Sequence, residues 1–191
     1  MAVREILQIG HPILRRVARE VAADELATTE VQHLIDDLVD TMHDADGGGI
    51  AANQVGETLR ICILEVDDNP RYPYKPSIPL TIAVNPVVET VGDATFTNNE
   101  GCLSVPLRGE VERHVDVRVR YLDRYGGEHD VVASGLEAGT WQHEVDHLDG
   151  VLFVDRVTDP STLATWDEFT THHREAFVER ITAFVAEVAA R

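Results

Sequence analysis

The sequence predicts an α+β fold with mostly antiparallel strands and three helices, one of them towards each end of the chain. Two observations predict it. Short apolar stretches bounded by glycine, proline and asparagine alternate in the manner of antiparallel strands. Three other segments instead repeat their apolar residues every three or four positions, as helices do. They lie before the glycine run at residues 47–49, around residue 142 and after Pro160.

The first half of the chain is predicted to contain one helix and two strands. Thr28 and Thr29 precede an apolar pattern from Val31 to Met42, which is typical of a capped amphipathic helix. The three glycines that follow are predicted to form a loop. In chain order, the predicted elements are an extended opening segment with a turn at 6–12, the helix from about 28 to an end near 44–47, strands at 59–66 and 80–85, and between the strands a polar, proline-rich surface loop or flap at 67–79.

The second half is predicted to hold the remaining strands and two helices. The same rules of alternation, glycine turns and helical spacing apply. In chain order, the predicted elements are a strand at 111–121 with Val115, Val117, Val119 and Tyr121 on one face, a hairpin turn at Gly126–Gly127 into a strand at 129–132, a helix at about 137–148 stopped by Gly150, and one long amphipathic helix after Pro160.

Length and composition fit one domain. The chain has 191 residues, of which 43% are hydrophobic, which is enough for a core. We take residues 1–191 as a single domain, with its core at about 5–157 and the C-terminal amphipathic helix at 161–191. No window reaches the roughly 18 uninterrupted apolar residues that span a bilayer. The N-terminus lacks the apolar run of a secretory signal, so we expect a cytoplasmic protein without a membrane partner.

The formal net charge is −18. Contact with nucleic-acid phosphates calls for clustered lysine and arginine, so this charge argues against a nucleic-acid partner. It also disfavours binding to anionic membrane surfaces. The plain interpretation of the charge is solubility.

The chain contains two cysteines, too few for a disulfide framework. Cys62 lies within the apolar run Ile61–Leu64, which predicts a buried core thiol. Cys102 follows Gly101 and lies outside any apolar run. It is either a small core residue or a thiolate ligand.

The strongest chemical signal is His-Glu-Val-Asp-His at residues 143–147. Histidines at positions i and i+4 of a helix share one face, so both imidazoles can reach one metal ion. Glu144 lies at the adjacent edge, within reach of a water molecule at that ion. The motif therefore predicts a hydrolytic metal site rather than a solvated helix face.

Two histidines do not complete such a site, because catalytic zinc-type sites usually have three protein ligands. Candidates downstream of the motif are His172, His173, Glu168 and Glu175, which look like face residues of the C-terminal helix. The candidate upstream is Cys102, within Glu-Gly-Cys-Leu-Ser at residues 100–104.

A third segment, Gly-Gly-Gly-Ile-Ala-Ala-Asn-Gln at residues 47–54, has two interpretations. Its glycines let the backbone approach a substrate closely, and Gln54 offers a hydrogen-bond donor and acceptor. The alternative is a flexible linker followed by a strand.

Taken in order, the segments 47–54, 100–104 and Gln-His-Glu-Val-Asp-His at 142–147 resemble the motifs of the peptide deformylases. The opening residues 10–17 also look like the family's start, and the resemblance covers about residues 5–157. It implies a fold of mostly antiparallel β-sheets around a central helix, which carries the His-Glu-Val-Asp-His motif. It also implies removal of the formyl group from the N-formyl-methionine of new polypeptides. It implies one Fe2+ ion, for which Zn2+, Ni2+ or Co2+ can substitute, and a formyl-methionyl peptide as the partner. A ribosome contact near the exit tunnel is a further expectation.

The resemblance also assigns roles to residues. It implies that Cys102, His143 and His147 bind the metal and that Glu144 acts as acid and base. Gln54 and the backbone N–H of Leu103 would bind the formyl oxygen. The residues implied to contact the substrate are Gly48, Gly49, Glu100, Gly101, Leu136, Gly139 and Thr140.

Within that set, the pocket for the first side chain is implied to be walled by Gly48, Leu136, Gly139 and Thr140. Two of these four carry no side chain, which leaves two interpretations. Either the pocket is wider than one walled by Ile or Val, or Gly48 serves the backbone, as the middle of a glycine run often does. Near the ligands, Asp146 is expected to point away from the ion and to orient a ligand or an arginine. Glu100 and Arg113 are expected to pair.

Three rival interpretations remain at this stage. A hydrolase of a small formylated metabolite, or of a formyl peptide without methionine, would use identical chemistry. A general HExxH endopeptidase is disfavoured by Cys102 and by the segment 47–54. A structural zinc domain or an inactive binding module is disfavoured by Glu144 and Gln54, because a structural site needs neither.

Overall fold

The computed structural model describes residues 2–67 and 73–191, which form helices and antiparallel strands. The helices are α1 (Ala23–Leu26), α2 (Thr29–Asp44), α3 (Gly135–Leu148), α4 (Trp166–His172) and α5 (Arg174–Ala189). The strands are β1 (Gly49–Ala51), β2 (Ile61–Val66), β3 (Ile78–Thr90), β4 (Thr95–Cys102), β5 (Val105–His114), β6 (Asp116–Leu122) and β7 (Glu128–Ser134). The predicted fold class is confirmed.

The strands form two antiparallel sheets. The first has five strands in the order β1-β2-β3-β6-β7, and the second pairs β4 with β5. Cys62 lies in the middle of β2, opposite Ala83 of β3, and is fully buried. The prediction that this thiol belongs to the core is therefore confirmed. Within the described residues, no helix is both long and apolar enough to cross a membrane.

Helix α3 lies between the two sheets and packs against strands of both. It is buried on most of its circumference, as expected for a helix at the centre of a fold. Gly150 ends it with a φ of +74°, which glycine adopts without strain. A Cβ at Gly150 would lie 2.8 Å from the carbonyl oxygen of Arg15, so a side chain there would also collide with the opening segment.

The prediction of one strand at residues 111–121 is wrong in one respect, because these residues belong to two strands in different sheets. The chain leaves β5 at His114 and enters β6 at Asp116. The N–H of Val115 donates to Ala94, and its carbonyl accepts from Gly135, at 2.9 and 2.7 Å. The apolar alternation continues across this junction, so the pattern alone does not show that the strand changes sheet.

The predicted C-terminal helix is present but interrupted. Helices α4 and α5 are separated by His173, whose φ of −124° and ψ of −23° depart from helical values. The break lets Phe169 of α4 and Phe177 of α5 pack together, with ring centroids 5.8 Å apart. Apolar spacing continues through the break, which is why one helix was predicted.

The other predicted elements are present, and the structure adds helix α1, which was not predicted. The helix predicted from about residue 28 to an end near 44–47 is α2, which is capped by Thr28 and ends at Asp44, and the predicted hairpin turns at Gly126, with a φ of +85°. Strand β3 is longer than the predicted 80–85, and β4 was not predicted as a strand. The end of the glycine run joins strand β1 instead of staying in a loop. Residues 68–72 of the predicted surface loop lie outside the described residues.

Candidate metal centre and cleft

Three side chains from two elements converge at one point. Cys102 comes from the end of β4, and His143 and His147 come from successive turns of α3. One potential ligand atom from each lies within 4.8 Å of the other two, and Cys102 Sγ is 3.2 Å from His147 Nε2. The structure thus brings the upstream cysteine to the histidines, while the described residues place His172 and His173 on the exposed surface of α4 and its end.

The arrangement fits a metal ion. Glu100 hydrogen-bonds His143 Nδ1 at 2.9 Å, which leaves Nε2 as the coordinating nitrogen of that ring. His147 is 1% exposed, and its Nδ1 has no hydrogen-bond partner among the described residues. A thiolate and two imidazoles form a donor set suited to zinc or iron-type ions, with a fourth position left for water.

A buried ion network supports this triangle. Arg113 of β5 makes two parallel hydrogen bonds to Glu100, at 2.7 and 2.8 Å, and a third to Asp146 of α3 at 2.6 Å. The Arg113 and Glu100 side chains are only 2% and 4% exposed. Arg156 also binds Asp146, at 2.5 Å. The expected Glu100–Arg113 pair and the expected arginine partner of Asp146 are both present.

The charges of this network stabilise one another. Burial by itself would raise the pKa of Glu100, but the Arg113 charge and the hydrogen bonds from Arg113 and His143 hold it well below its usual range. Burial lowers the pKa of Arg113, and the two carboxylates outweigh that effect and raise it. Glu100 is therefore ionised and accepts hydrogen bonds from both partners.

Glu144 lies against the backbone of Gly49. A Cβ on Gly49 would overlap the Glu144 carboxyl group, so only glycine permits this approach. Glu144 is 4% exposed, and its Oε2 has no hydrogen-bond partner among the described residues. Burial raises its pKa to about 7, a value suited to accepting and returning a proton near neutral pH.

Gln54 points its amide nitrogen towards the cysteine. Its Oε1 accepts from the Ala51 N–H at 2.8 Å, which fixes the orientation of the amide. Its Nε2 lies 3.1 Å from Ser104 Oγ and 3.6 Å from Cys102 Sγ. The donor end of the amide thus faces the metal-ligand triangle.

A cleft opens beside the triangle and collects most of the site residues predicted from the sequence. It is lined by Gln54, Leu103, Glu144, Cys102 and His143. Its wall also contains Gly48, Gly49, Glu100, Gly101, Gly139 and Thr140.

Leu136, the remaining residue of the expected pocket, is 2% exposed and packs in a core cluster with Phe96, Phe177 and Ile181. Its contact with the substrate stays a prediction. The widening expected at Gly139 is reduced, because a Cβ there would lie 3.2 Å from the Phe96 ring. Phe96 fills the space that a larger side chain would take.

The sequence interpretation missed several residues of the wall, namely Tyr74, Lys75, Asn98, Asn99 and Arg108. Lys75 was assigned only to a surface loop. Lys75 is the only lysine of the sequence, and the polar, proline-rich pattern around it does not indicate a place in the wall. Asn98 and Asn99 lie on β4, where Phe96 is buried but the other buried residues are polar, so the strand shows no apolar alternation.

The chain is similar to known proteins over the part of the sequence that carries this site. The family model described as polypeptide deformylase matches residues 3–162. The peptide deformylase of Leptospira biflexa is 44% identical over 159 residues, covering 82% of this chain and 89% of the relative. Peptide deformylase 1 of Prochlorococcus marinus is 45% identical over 175 residues, covering 90% of this chain and 89% of the relative.

Solved structures agree. A Met-Ala-Ser-bound class I type b peptide deformylase from Acinetobacter baumannii superimposes with a TM-score of 0.79 at 40% identity, covering 82% of this chain and 99% of that chain. A peptide deformylase from Legionella pneumophila gives a TM-score of 0.73 at 31% identity, covering 100% of this chain and 99% of that chain.

The ion network yields a stability prediction. Arg113→Met should lower the free energy of unfolding by about 3–5 kcal/mol, because it leaves Glu100 buried without its counter-charge. Arg118→Met is the matched control, since Arg118 pairs with Asp130 on the surface, where both side chains are nearly half exposed. That variant should stay close to the parent protein. Urea unfolding at equal metal loading measures both, and equal midpoints for the two variants would contradict the role of the network.

Proposed function

Because the chain belongs to the peptide deformylase family, we propose that Cys102, His143 and His147 hold its metal ion and that Glu144 moves the protons of its reaction. The reaction itself is that of the family. The chain is a metal-dependent hydrolase that removes the formyl group from N-formyl-methionine at the start of new polypeptides and releases formate. The observation that carries the residue assignment is the convergence of one thiol and two imidazoles within 4.8 Å beside Glu144.

We propose Fe2+ as the native ion, with Zn2+, Ni2+ or Co2+ able to take its place. A thiolate ligand supports this choice, because sulfur donors favour softer, iron-type ions more than a third imidazole would. When bound, such an ion acts as a Lewis acid that lowers the pKa of water at the fourth position.

The proton steps fall to Glu144. With a pKa raised to about 7 by burial, its carboxylate accepts the proton of the attacking water and its carboxylic acid then protonates the leaving amine. Gly49 allows a short distance between the Glu144 carboxyl group and the backbone proposed to bind the substrate, because it has no Cβ in the way. One side chain thus serves as base and then as acid.

The oxygen of the formyl group needs donors as negative charge develops on it. Gln54 supplies its Nε2 hydrogens from a fixed amide that already faces Cys102. The Leu103 N–H, next along the backbone, is the second proposed donor. Donors fixed before the reaction stabilise this charge without reorganisation.

The substrate chain is proposed to lie along Gly48, Gly49, Glu100 and Gly101, with its first side chain in the cleft towards Gly139 and Thr140. These residues line one continuous wall. The peptide in the Acinetobacter baumannii complex, Met-Ala-Ser, has the chemistry of a deformylated product and supports a peptide substrate here.

The setting of the reaction is part of the same proposal. The chain acts as a single catalytic domain in the cytoplasm, where formylated chains are made. A contact near the ribosomal exit tunnel, through the C-terminal helix, remains a prediction. The net charge of −18 supports a peptide partner rather than a nucleic acid.

Two substitutions test the assigned roles. Glu144→Gln should lower kcat for formyl-Met-Ala-Ser by at least about 100-fold and keep the metal, because an amide cannot take the proton. Cys102→Ala should lose most bound metal together with activity, whereas Cys62→Ala should keep both. Formate release and elemental analysis on the same preparations are the measurements. Stoichiometric metal in Cys102→Ala, or undiminished turnover in Glu144→Gln, would show that the assignment is incorrect.

The identity of the ion has its own test. Iron-loaded protein should lose activity in air faster than under argon, because Fe2+ and its thiolate ligand are open to oxidation. Nickel- or cobalt-loaded protein should keep its activity in air. Equal lifetimes of the iron form in air and argon would contradict the proposed iron–thiolate centre.

A further inference from the structure

Lys75, the only lysine of the sequence, lies in the wall of the cleft. Its Nζ donates a hydrogen bond to Thr140 Oγ1 at 3.1 Å. The Thr140 hydroxyl in turn donates its own hydrogen to the Leu136 carbonyl at 2.9 Å. It therefore acts only as the acceptor in its hydrogen bond with Lys75. The lysine is thereby fixed at the wall proposed to receive the first side chain of the substrate.

Other hydrogen-bond donors surround this position. Asn98 is 8% exposed, and its Nδ2 lies 4.0 Å from the point where a Cβ of Gly139 would stand. Arg108 is 1% exposed. Its Nε and Nη2 donate to the side-chain and backbone oxygens of Asn99, at 2.9 and 2.7 Å. Its Nη1 has no hydrogen-bond partner among the described residues. The wall is therefore rich in donors.

A methionine side chain offers these hydrogen-bond donors no strong acceptor. A thioether sulfur is a weak acceptor, so a buried donor gains little from it. A side chain of similar length that ends in an amide or sulfoxide oxygen offers a strong acceptor at the same depth. Methionine sulfoxide arises from methionine by oxidation and has this chemistry.

The charges that face Lys75 select neutral acceptors over anions. Glu100 and Glu144 line the same cleft and act electrostatically on the lysine, as does Arg108. Burial lowers the pKa of Lys75 to about 8, so the ammonium form still predominates at neutral pH. A substrate carboxylate would meet the two glutamates, whereas a neutral oxygen would not be repelled.

We propose that Lys75 is a specificity-determining residue that extends the substrate range to formylated chains whose first side chain ends in a neutral hydrogen-bond acceptor, such as methionine sulfoxide or glutamine. This inference rests on the proposed function, because it takes the reaction and the place of the first side chain from it. Methionine remains a substrate, and Lys75 sets how well its oxidised form is processed.

The test compares kcat/KM for formyl-Met-Ala-Ser, its sulfoxide and formyl-Gln-Ala-Ser at full metal loading. The parent protein should process both acceptor peptides within about tenfold of the methionine peptide. Lys75→Met should lower the ratio of acceptor to methionine peptide by about tenfold or more, since a charge-assisted hydrogen bond is lost. Arg120→Met, which alters a surface ion pair with Glu89, should keep the ratio of the parent.

The outcomes separate the two proposals. Formate release from the methionine peptide, with the same ratio in Lys75→Met as in the parent, would overturn the role of Lys75 and leave the proposed function intact. Rejection of both acceptor peptides by more than about 100-fold in the parent would do the same. No formate from any of the three peptides would overturn the proposed function itself.

A second measurement needs no variant. Because the sequence contains one lysine, acetylation of the folded holoenzyme modifies a single side-chain amine, with the terminal amine as internal reference. Met(O)-Ala-Ser should slow modification of Lys75 more than Met-Ala-Ser does, as followed by mass spectrometry. Equal modification rates with either peptide would contradict a contact between Lys75 and the acceptor.

Discussion

A single buried guanidinium, that of Arg113, ties the strand that carries the cysteine to the helix that carries both histidines. It binds Glu100 of β4 through two hydrogen bonds and Asp146 of α3 through a third. Glu100 also forms a hydrogen bond with the His143 ring. Cys102 lies two residues after Glu100 on the same strand. The two elements that supply the metal ligands therefore cannot shift independently, because a shift would leave charges buried without partners.

Close backbone approach adds a second constraint on the same site. The Asn53 amide donates to the carbonyl of His147, and Gly49 contacts the Glu144 carboxyl group. These contacts join β1 and the turn after it to the helix that carries the motif. Together with the ion network, they hold the donors, the proton carrier and the ligands in place before a substrate arrives. Pre-organisation of this kind is what electrostatic stabilisation of a transition state requires.

The part of the site that follows helical spacing was predictable from the sequence. His143 and His147 share a face because they are four residues apart, and Glu144 follows from the same geometry. The third ligand was not fixed by spacing, since Cys102 is more than 40 residues away in sequence and meets the histidines only through the second sheet. There the resemblance to a family, not the pattern, selected the cysteine. Lys75 was missed because its segment looks like a surface loop.

The same contrast explains the errors in the fold. Apolar alternation predicts a strand but not the sheet that the strand joins. The change of sheet at Val115, between β5 and β6, could therefore not be predicted from the sequence pattern. Strand β4 was not recognised because its buried positions include the polar residues Asn98, Asn99 and Glu100, which break the apolar alternation.

The most direct test of the account is the metal affinity of Glu100→Gln, measured by competition with a chelator of known affinity. Glutamine keeps the shape of the side chain but removes the charge that holds His143 and Arg113. The account predicts an affinity weaker by about 10–100-fold, which is the usual effect of losing a residue that orients a metal ligand. Glu110→Gln, which alters a surface pair with Arg180, should bind as the parent does. Equal affinity in Glu100→Gln and the parent would contradict the claim that the buried ion network sets the geometry of the metal site.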